Sequence, residues 1–572
     1  MPLARSPFWP AHLPTHLTLP ATNLFYNAEV AATRYPDKPF IVFYDTPVTF
    51  SQFKDEAERV AGYLQQRCGV SAGDRVLLYM QNSPQWMIAY YGILRANAVV
   101  VPVNPMNMTD ELRHYVEDAG ARTAIVAQDL YPRIAPLVGQ SSGTADGKAD
   151  DQLAHVVVAT YGDYLKQPPG IAPPDFVTAP RQVEGPGVAH WADVLDAHLA
   201  PGPLTAGPDD LCVMPYTSGT TGKPKGCMHT HRSVMCTAIG GTNWFGGTQD
   251  SILLSVLPLF HVTGMQGGLN SPLYSGSTVV VLPRWDRDAA AHAIGRYGVT
   301  VWQSISTMVV DFLSNPTLGD YDLSSLRWMR GGGAAMPDAV VKKLKDTVGI
   351  DYVEGYGMSE TIAATHINPP QRPKPQCLGI PVFDVDARIV DPVTLEPVPQ
   401  GETGEIIVHA PQVMQGYWRK PDATRDAFVE IDGKRFLRTG DLGRMDEDGY
   451  FFMADRLKRM INASGYKVWP AEVEAMMYHH PAILEVCVIG ARDAHRGETV
   501  KAFVVPNPKQ SAGVTPDDII AWAREHMASY KAPRVVELVA SLPKSGSGKI
   551  MWRELQEQEA AKAAASVGDT KA

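Results

Sequence analysis

The sequence predicts an α/β fold: a large N-terminal domain of two α/β lobes with a small β-barrel-like unit, followed by a small α/β C-terminal domain. From Asp74 onward, short β-rich runs alternate with helix-like stretches, which is typical of a largely parallel sheet covered by helices. The chain has 572 residues, 45% of them hydrophobic, which is more than a single core accommodates. Near Gly401 to Gly416 the pattern changes, because Gly and Pro cut the chain into short apolar segments.

The first lobe is predicted from elements that alternate between residues 74 and 130. The expected strands and helices are Arg75 to Met80, Gln85 to Ala96, Val99 to Val103, Thr109 to Asp118 and Thr123 to Val126. Residues 132 to 190 break this rhythm with a polar run and many prolines. We therefore expect a long excursion on the surface there.

The second lobe is predicted from a strand-like run, Ser277 to Leu282, and a helical one, Asp286 to Tyr297. The last hundred residues predict a compact α/β unit with elements at Ala471 to His479, Ile483 to Ile489, Val500 to Val505, Pro516 to Met527 and Arg534 to Leu538. After Arg553 the chain favours a helix but offers little to bury, so we expect a tail that frays.

Composition excludes several classes of protein. The formal net charge is −10 with the signs interspersed, which gives no electrostatic footprint for nucleic acid. Six scattered cysteines indicate neither a disulfide framework nor a zinc site, and favour a reducing cytoplasm. The N-terminus does not resemble a signal peptide, and the most apolar run, Trp86 to Val103, is interrupted by Arg, Asn and Pro. Membrane contact is expected to be peripheral at most, and a homodimer is left open.

One polar stretch, Tyr216 to Gly226, has the groups that a polyphosphate needs around it. It combines hydroxyl side chains, glycines that let the backbone approach, and two lysines. The glycine spacing differs from that of a Walker A loop, so a P-loop ATPase is excluded. The stretch follows an apolar segment, which places it at a strand's C-terminal end, where α/β sheets bind ligands. The phosphate-binding candidates are Thr217, Ser218, Gly219, Thr220, Thr221, Gly222, Lys223 and Lys225.

Four further stretches carry residues suited to chemistry. His261 lies among apolar neighbours, where a lone histidine is commonly a packed core residue. In Glu354 to Glu360 the glycines indicate an unusual turn, Tyr356 offers a stacking face, Ser359 a hydroxyl and Glu360 a carboxylate for Mg²⁺. The other two are a charged run from Asp455 to Lys467 and a Gly/Ser loop that ends at Lys549.

In chain order from residue 216 to residue 550, these stretches resemble the signatures of the adenylate-forming superfamily. That superfamily contains acyl- and aryl-CoA ligases, luciferases and peptide-synthetase adenylation domains. The resemblance covers nearly the whole chain, apart from about twenty N-terminal residues, the 132 to 190 excursion and the tail. It implies an N-terminal adenylation domain at 1–457, a mobile C-terminal domain at 458–553 and a flexible tail at 554–572.

The resemblance also implies roles. His261 lies beside the acyl pocket, Glu360 and Thr221 bind magnesium, and Asp441 accepts the ribose hydroxyls. Arg456 reaches the ribose and phosphate, Lys458 is the hinge, Gly465 leaves room for pantetheine, and Lys549 bridges the substrate carboxylate and the α-phosphate. The residues implied to surround the adenine and the transferred phosphate are Gly333, Ala334, Ala335, Gly355, Tyr356, Gly357, Met358 and Ser359.

The implied reaction joins a carboxylic acid to coenzyme A through an acyl adenylate, with ATP and Mg²⁺, and releases AMP and pyrophosphate. Apolar residues named as candidate pocket walls are Trp244, Met265, Trp302 and Met308. They favour a medium- to long-chain fatty acid, with an aromatic acid such as a benzoate or cinnamate next. A luciferase-type oxygenase and an acyl-AMP ligase stay open. A peptide-synthetase module lacks room for a carrier domain, and a nucleotide-sensing pseudoenzyme would have lost Lys549 or Glu360.

Overall fold

The computed structural model describes residues 6–139, 152–183, 185, 187–217, 223–333, 335–456, 459, 461–463, 466–468, 470–493, 497–508, 511, 513–528, 530–544 and 550–568. The chain divides into two compact units. The first unit comprises Met1–Asp386 and Val408–Leu437, and the second comprises Ala387–Ile407 and Arg438–Ala572.

The first unit contains a mostly parallel sheet built from the predicted first lobe. Its strands, in spatial order, are His229–Thr230, Leu211–Val213, Val99–Pro102, Arg75–Tyr79, Thr123–Ala127, His155–Ala159 and Val188–His190. The central strands are almost wholly buried, as expected for a sheet covered on both faces. The strands predicted between residues 75 and 126 are confirmed.

The predicted surface excursion at 132 to 190 is wrong in part. His155–Ala159 forms a strand that pairs in parallel with Thr123–Ala127, and its last four residues are buried. Val188–His190 then adds a further parallel strand. A run of β-branched residues specifies the inner strand, and the prolines around it lie in the connections.

A second sheet of the first unit contains the predicted second lobe. It is parallel from Pro39–Phe43 through Tyr352–Met358 and antiparallel at both edges. Its strands, in spatial order, are Ile380–Pro381, Ala363–Ile367, Tyr352–Met358, Trp328–Gly332, Val301–Ser304, Ile252–Ser255, Thr278–Val281, Pro39–Phe43 and Thr46–Thr49.

Some helices of the first unit begin at a residue whose side chain caps them, among them Thr49, Ser83, Thr230 and Asp286. Ser83 accepts a hydrogen bond from the Trp86 N–H, and Pro84 occupies the first helical position. The longer helices are Phe25–Arg34, Phe50–Gln66, Pro84–Arg95, Thr109–Ala119, His231–Trp244, Arg287–Tyr297, Ser306–Leu313 and Asp338–Val348. Shorter ones are Tyr131–Ile134, Asp175–Thr178, Trp191–Asp196, Val262–Met265, Ser271–Ser275 and Pro421–Asp426, with a π-helical turn at Gln266–Asn270.

The predicted change of pattern near Gly401 corresponds to antiparallel strands. In the first unit, Phe428–Ile431 pairs with the beginning of Lys434–Met445 as a hairpin. In the second unit, the end of Lys434–Met445 pairs with Phe451–Arg456. Two further strands are Asp386–Val390 and Gly404–His409.

The C-terminal part of the second unit is the predicted compact α/β structure. Its strands are Ile461–Ala463, Tyr466–Val468, Ile483–Asp493, Gly497–Pro506 and Val535–Leu538, and its helices are Pro470–Met477, Pro516–His526 and Trp552–Gly568. The last helix confirms the helix propensity expected after Arg553 and corrects the expectation that the tail offers little to bury, while its fraying stays a prediction. Leu555 is buried, and Glu559 pairs with Lys501 at 2.7 Å, so the segment gains packing and charge contacts that its composition did not indicate.

Two negative findings concern the part of the chain that the structure describes. Within it, no helix is both long enough and apolar enough to cross a membrane. Within the same residues, no three His, Cys, Asp or Glu side chains are grouped so that they could hold a metal ion. All six cysteines are free thiols.

Candidate active site

The predicted phosphate loop begins and ends in a two-stranded antiparallel ribbon, Tyr216–Thr217 and Lys225–Gly226. Thr217 pairs with Lys225 across the ribbon. Two predicted phosphate-binding residues therefore lie opposite each other where the loop leaves its strands. The loop residues outside the described part of the chain are Ser218, Gly219, Thr220, Thr221 and Gly222. Their roles stay predictions.

Tyr216 fixes the ribbon to the end of the helix Thr109–Ala119. Its hydroxyl donates to Asp118 Oδ2 at 2.8 Å. Trp418 Nε1 donates to the Asp118 carbonyl at 3.0 Å, and Lys420 Nζ lies 3.1 Å from Asp118 Oδ1. Burial, and then the charge of Asp118, raise the pKa of Tyr216, so its hydroxyl stays protonated as a donor.

A tyrosine joins the predicted magnesium ligand to the predicted phosphate lysine. The Tyr417 hydroxyl donates to Glu360 Oε1 at 2.8 Å, and Lys225 Nζ lies 4.0 Å from the Tyr417 ring centroid. Burial, and then the charge of Glu360, raise the pKa of Tyr417. The Met414 N–H donates to the Glu360 carbonyl at 2.8 Å. Glu360 and Lys225 are thus arranged around one ring at the base of the loop.

The segment that carries Tyr417 runs along the returning strand of the ribbon. The Trp418 N–H donates to the Gly226 carbonyl at 2.8 Å, and the Met228 N–H donates to the Gly416 carbonyl at 3.0 Å. Sequence reasoning missed Tyr417. The only local signal was an aromatic pair directly after Gly416, and nothing in it indicated a contact with the loop.

His229 contacts Ser359, which is predicted to contact the transferred phosphate. It is fully buried, and its Nε2 donates to the Ser359 carbonyl at 2.7 Å. Burial lowers the pKa of His229 to about 4, so the ring is neutral at pH 7, with its proton on the nitrogen that faces the carbonyl. This histidine was also missed, because a single histidine before a helix more commonly indicates packing.

The two stretches predicted to border the adenine are neighbouring parallel strands, Trp328–Gly332 and Tyr352–Met358. Gly332 pairs with Gly355, and a Cβ on Gly332 would lie 2.1 Å from the Gly355 carbonyl oxygen. Gly333 follows with a φ of +84°, a conformation that favours glycine. Only glycine fits this close approach of the strands at their C-terminal ends.

Tyr356 lies one strand residue further along. It is 8% exposed, and its ring centroid lies 5.7 Å from that of His366. Gly357 approaches the next strand so closely that a Cβ would lie 1.8 Å from the Ala363 carbonyl oxygen. The glycines on both sides of Tyr356 were predicted to form an unusual turn, but they lie inside the strand Tyr352–Met358, where they permit tight strand packing, and the turn follows at Ser359–Thr361.

Ser359 and Glu360 lie in a tight turn at the end of this strand, Ser359–Thr361. The Thr361 hydroxyl accepts from the Met358 N–H at 3.0 Å and donates to the Ala363 carbonyl at 2.7 Å. Ala363 has a φ of +103°, which is strained for a residue other than glycine. Strain of this kind occurs at functional sites, where the surrounding contacts hold it in place.

His261 caps the short helix Val262–Met265 in the first unit. Its Nδ1 accepts from the Thr263 N–H at 3.4 Å, and the side chain is partly exposed. The helix continues directly into the π-helical turn Gln266–Asn270. Its predicted place beside the acyl group stays a prediction.

The predicted pocket walls are packed core side chains. Trp302 stacks on Trp285 with ring centroids 5.4 Å apart. Trp244 is buried, as are Met265 and Met308.

In the second unit, Asp441 pairs across antiparallel strands with Arg456, whose side chain is not among those described. Asp441 is 2% exposed, and its N–H donates to Thr439 Oγ1 at 3.1 Å. Gly440 has a φ of +69°, so the chain bends just before the carboxylate.

The remaining predicted residues outside the described part are Ala334, Lys458, Gly465 and Lys549. The exposed members of the predicted set among the described residues are Lys223, Gly333, Ala335 and Gly357.

Ordered contacts of the second unit flank the predicted hinge. Asp455 Oδ2 accepts from the Ala471 N–H at 2.7 Å. Arg459 forms an ion pair with Glu474 and donates to the Val488 carbonyl at 3.0 Å. Any rotation of the chain between Asp455 and Ala471 has to break the first of these bonds.

Comparison with known proteins agrees with the resemblance that the sequence motifs indicate. The chain matches the family model of the AMP-binding enzyme over residues 28–418 and that of the AMP-binding enzyme C-terminal domain over residues 472–549. A long-chain-fatty-acid–CoA ligase of Bacillus subtilis (strain 168) is 36% identical over 562 residues, covering 96% of this chain and 97% of the relative. A feruloyl-CoA synthase of an Amycolatopsis species is 32% identical over 517 residues, covering 89% and 94%.

A solved structure of the anthranilate CoA ligase AuaEII in complex with anthranoyl-AMP is also similar, with a TM-score of 0.80 and 28% identity over 96% of this chain and 99% of that one. Fold and matches together define the class: an adenylate-forming enzyme. More particularly, the chain belongs to the AMP-binding enzyme family and is an AMP-forming acid–CoA ligase, which uses ATP and CoA as co-substrates. The resemblance stated from the motifs is confirmed.

Proposed function

We propose that this ligase activates a medium- to long-chain fatty acid, with Thr217 and Lys225 binding the polyphosphate and Glu360 holding Mg²⁺. The observation that carries the proposal is the arrangement around Tyr417, which places the Lys225 ammonium and the Glu360 carboxylate at the base of one loop. An ammonium suits a phosphate oxygen, and a carboxylate suits a hard cation.

The residues present fit Mg²⁺. Glu360 offers a carboxylate oxygen, and this ion is commonly bound through one or two carboxylates together with substrate phosphates. Bound there with Thr221, Mg²⁺ would neutralise charge on the departing pyrophosphate. Tyr417 holds the carboxylate in place through its hydroxyl.

The chemistry proceeds in two displacements. A carboxylate oxygen of the acid forms a bond to the α-phosphorus of ATP while the bond to pyrophosphate breaks. Lys549 bridges the carboxylate and the α-phosphate and stabilises the charge that develops, while Tyr356 and Gly333 border the adenine. The CoA thiol, after losing its proton, then forms a bond to the acyl carbon, and AMP leaves. We place the turn of the C-terminal domain between these steps at Lys458, with the domain boundary at 457/458.

The proposed substrate rests on relatives and on the pocket candidates. The Bacillus subtilis relative is named for long-chain fatty acids, and the candidate walls are apolar. An aryl acid is the second candidate, favoured by the feruloyl-CoA synthase match. A cytoplasmic location suits the six free thiols and the use of ATP and CoA.

Substitution of Lys549 separates the two displacements. Lys549→Ala is expected to abolish acid-dependent pyrophosphate release, because the charge that bridges carboxylate and phosphate is lost. Acyl-CoA formation from supplied acyl-AMP is expected to continue. Lys544→Ala is the matched control, since Lys544 is five residues away and pairs with Glu485. Loss of both half-reactions in Lys549→Ala would show that the assigned role is misplaced.

A further inference from the structure

Two segments of the first unit that are far apart in the sequence run side by side next to the turn Ser359–Thr361. The first is residues 225–229, which return from the predicted phosphate loop, and the second is residues 414–418. They pair through their backbones, and the Gln415 N–H donates to the Met228 carbonyl at 2.9 Å. We call these two stretches the paired segments.

Hydrogen bonds from the paired segments hold the two residues of the turn that are predicted to meet phosphate and Mg²⁺. His229 Nε2 donates to the Ser359 carbonyl at 2.7 Å. The Met414 N–H donates to the Glu360 carbonyl at 2.8 Å, and the Tyr417 hydroxyl donates to Glu360 Oε1 at 2.8 Å. The backbone of the turn is therefore fixed to the strand that leaves the phosphate loop.

His229 is the side chain through which that strand reaches the turn. It is fully buried and pairs in the first sheet with Val213. A carbonyl oxygen only accepts, so the ring proton lies on the nitrogen that faces Ser359. The other ring nitrogen, Nδ1, lies 3.5 Å from Ser233 Oγ, whose hydroxyl donates to the Thr230 carbonyl at 2.9 Å. The short bond of the ring is thus the one to the turn.

The chain directly after the turn is strained. Ile362 has a φ of +44° and Ala363 a φ of +103°. Backbone of this kind persists only where surrounding contacts hold it. The Ser359 carbonyl also accepts from the Ile362 N–H at 3.2 Å, which closes the turn on itself. Without His229 the turn keeps this inner bond and loses its bond to the first sheet.

We propose that His229 is a positioning residue for adenylate formation, which keeps the turn Ser359–Thr361 in register with the phosphate loop. The inference rests on the proposed function, which assigns Glu360 to Mg²⁺. His229 contacts neither nucleotide nor metal in this proposal, and it acts through one hydrogen bond between residues 130 positions apart. The register matters because Mg²⁺ is bound by a carboxylate and by substrate phosphates together.

Three substitutions test the donated proton. His229→Leu removes it, His229→Gln restores a donor at about the place of Nε2, and Ser233→Ala alters only the surroundings of Nδ1. The measurements are the half-saturating Mg²⁺ concentration for ATP–pyrophosphate exchange and, by calorimetry, the Kd of ATP at a fixed Mg²⁺ concentration. His229→Leu is expected to raise both about 3- to 10-fold, the range that one lost hydrogen bond covers.

The other two variants are expected to stay close to the wild type in both quantities. A partly unfolded variant has fewer active molecules, which lowers kcat and leaves the half-saturating Mg²⁺ concentration unchanged. If His229→Leu does not fold, His229→Asn takes its place, because the shorter amide puts its nitrogen near the position of Nδ1 and not of Nε2.

Three results would overturn the proposal. His229→Leu with wild-type Mg²⁺ and ATP constants would mean that the ring has a structural role only. Equal impairment in His229→Gln and His229→Leu would mean that the shape of the ring matters and its N–H does not. If the wild type exchanges with no acid, the proposed function fails, and calorimetry decides separately: equal ATP binding in wild type and His229→Leu refutes the positioning role, and weaker binding in the variant supports it.

Discussion

Tyr417 is the residue on which the candidate site depends most closely. Its hydroxyl orients the carboxylate proposed to hold Mg²⁺, and its ring face lies under the Lys225 ammonium. One side chain thereby contacts both the cation and the anion that are proposed to bind the phosphates and Mg²⁺.

Removal of the Tyr417 hydroxyl alone tests whether its bond to Glu360 matters for ATP. Tyr417→Phe keeps the ring beneath Lys225 and deletes the bond to Glu360. We expect kcat/KM for ATP to fall about 10-fold, since a hydrogen bond to a charged group contributes about 1.5 kcal/mol or more. Steady-state kinetics at varied ATP and Mg²⁺ measure the effect.

The control is Tyr26→Phe, which changes an exposed tyrosine in the same way. It should leave the ATP kinetics as they are. An unaltered kcat/KM in Tyr417→Phe would show that Glu360 needs no orientation by this hydroxyl.

Single residues were predictable where their chemistry is concentrated in a short stretch. Lys225, Tyr356 and Glu360 could be named as candidates because each lies among glycines and hydroxyl residues, and their roles stay predictions. Tyr417 and His229 were not, because each acts on a residue more than fifty positions away in the chain. Contacts at that distance depend on the packing of strands, which a single sequence does not encode in any local pattern.

At the scale of elements, the helix His231–Trp244 carries an ionisable group that ties it to the N-terminal segment. His231 is 1% exposed, and its Nδ1 accepts from the Leu24 N–H at 3.1 Å. Burial lowers the pKa of His231 to about 4, although Asp210 acts in the opposite direction. The ring therefore has to remain neutral at the first position of this helix, where the helix dipole also disfavours a cation.

This makes the fold sensitive to acid. Unfolded histidine has a pKa of about 6.5, so below that pH the unfolded chain takes up a proton that the folded chain refuses. Stability from His231 is present above about pH 6.5 and is lost progressively as the pH falls toward 4. At pH 4.5 the loss is about 2 to 3 kcal/mol.

Urea unfolding at pH 7 and pH 4.5 measures the loss. His231→Asn, whose amide oxygen can still accept from Leu24, should lose less stability on acidification than the wild type, while the exposed His12→Asn should behave as the wild type does. Equal acid sensitivity in wild type and His231→Asn would contradict the depressed pKa.

Elements with strong periodicity were predicted well, among them Pro84–Arg95 and Thr109–Ala119. The strand His155–Ala159 was missed because it is short and lies between a polar run and a proline-rich connection. The packing of Leu555 and the Lys501–Glu559 ion pair in the helix Trp552–Gly568 were not predicted, because they are tertiary contacts.

For the whole molecule, the α/β class and the family follow from motifs that lie between residues 216 and 550. The two matched family models cover residues 28–418 and 472–549. The compact units do not coincide with a single cut in the sequence, since the second unit includes Ala387–Ile407 as well as the C-terminal residues. A chain that crosses between units more than once cannot be divided from composition alone, and the boundary at 457/458 stays a prediction.

The central claim is that this protein forms an acyl adenylate from ATP and a carboxylic acid. The most direct measurement is the exchange of labelled pyrophosphate into ATP, with Mg²⁺ and a panel of alkyl and aryl acids in the absence of CoA. We predict exchange that requires both the acid and Mg²⁺. Absence of exchange with every acid of the panel, from folded protein, would contradict it.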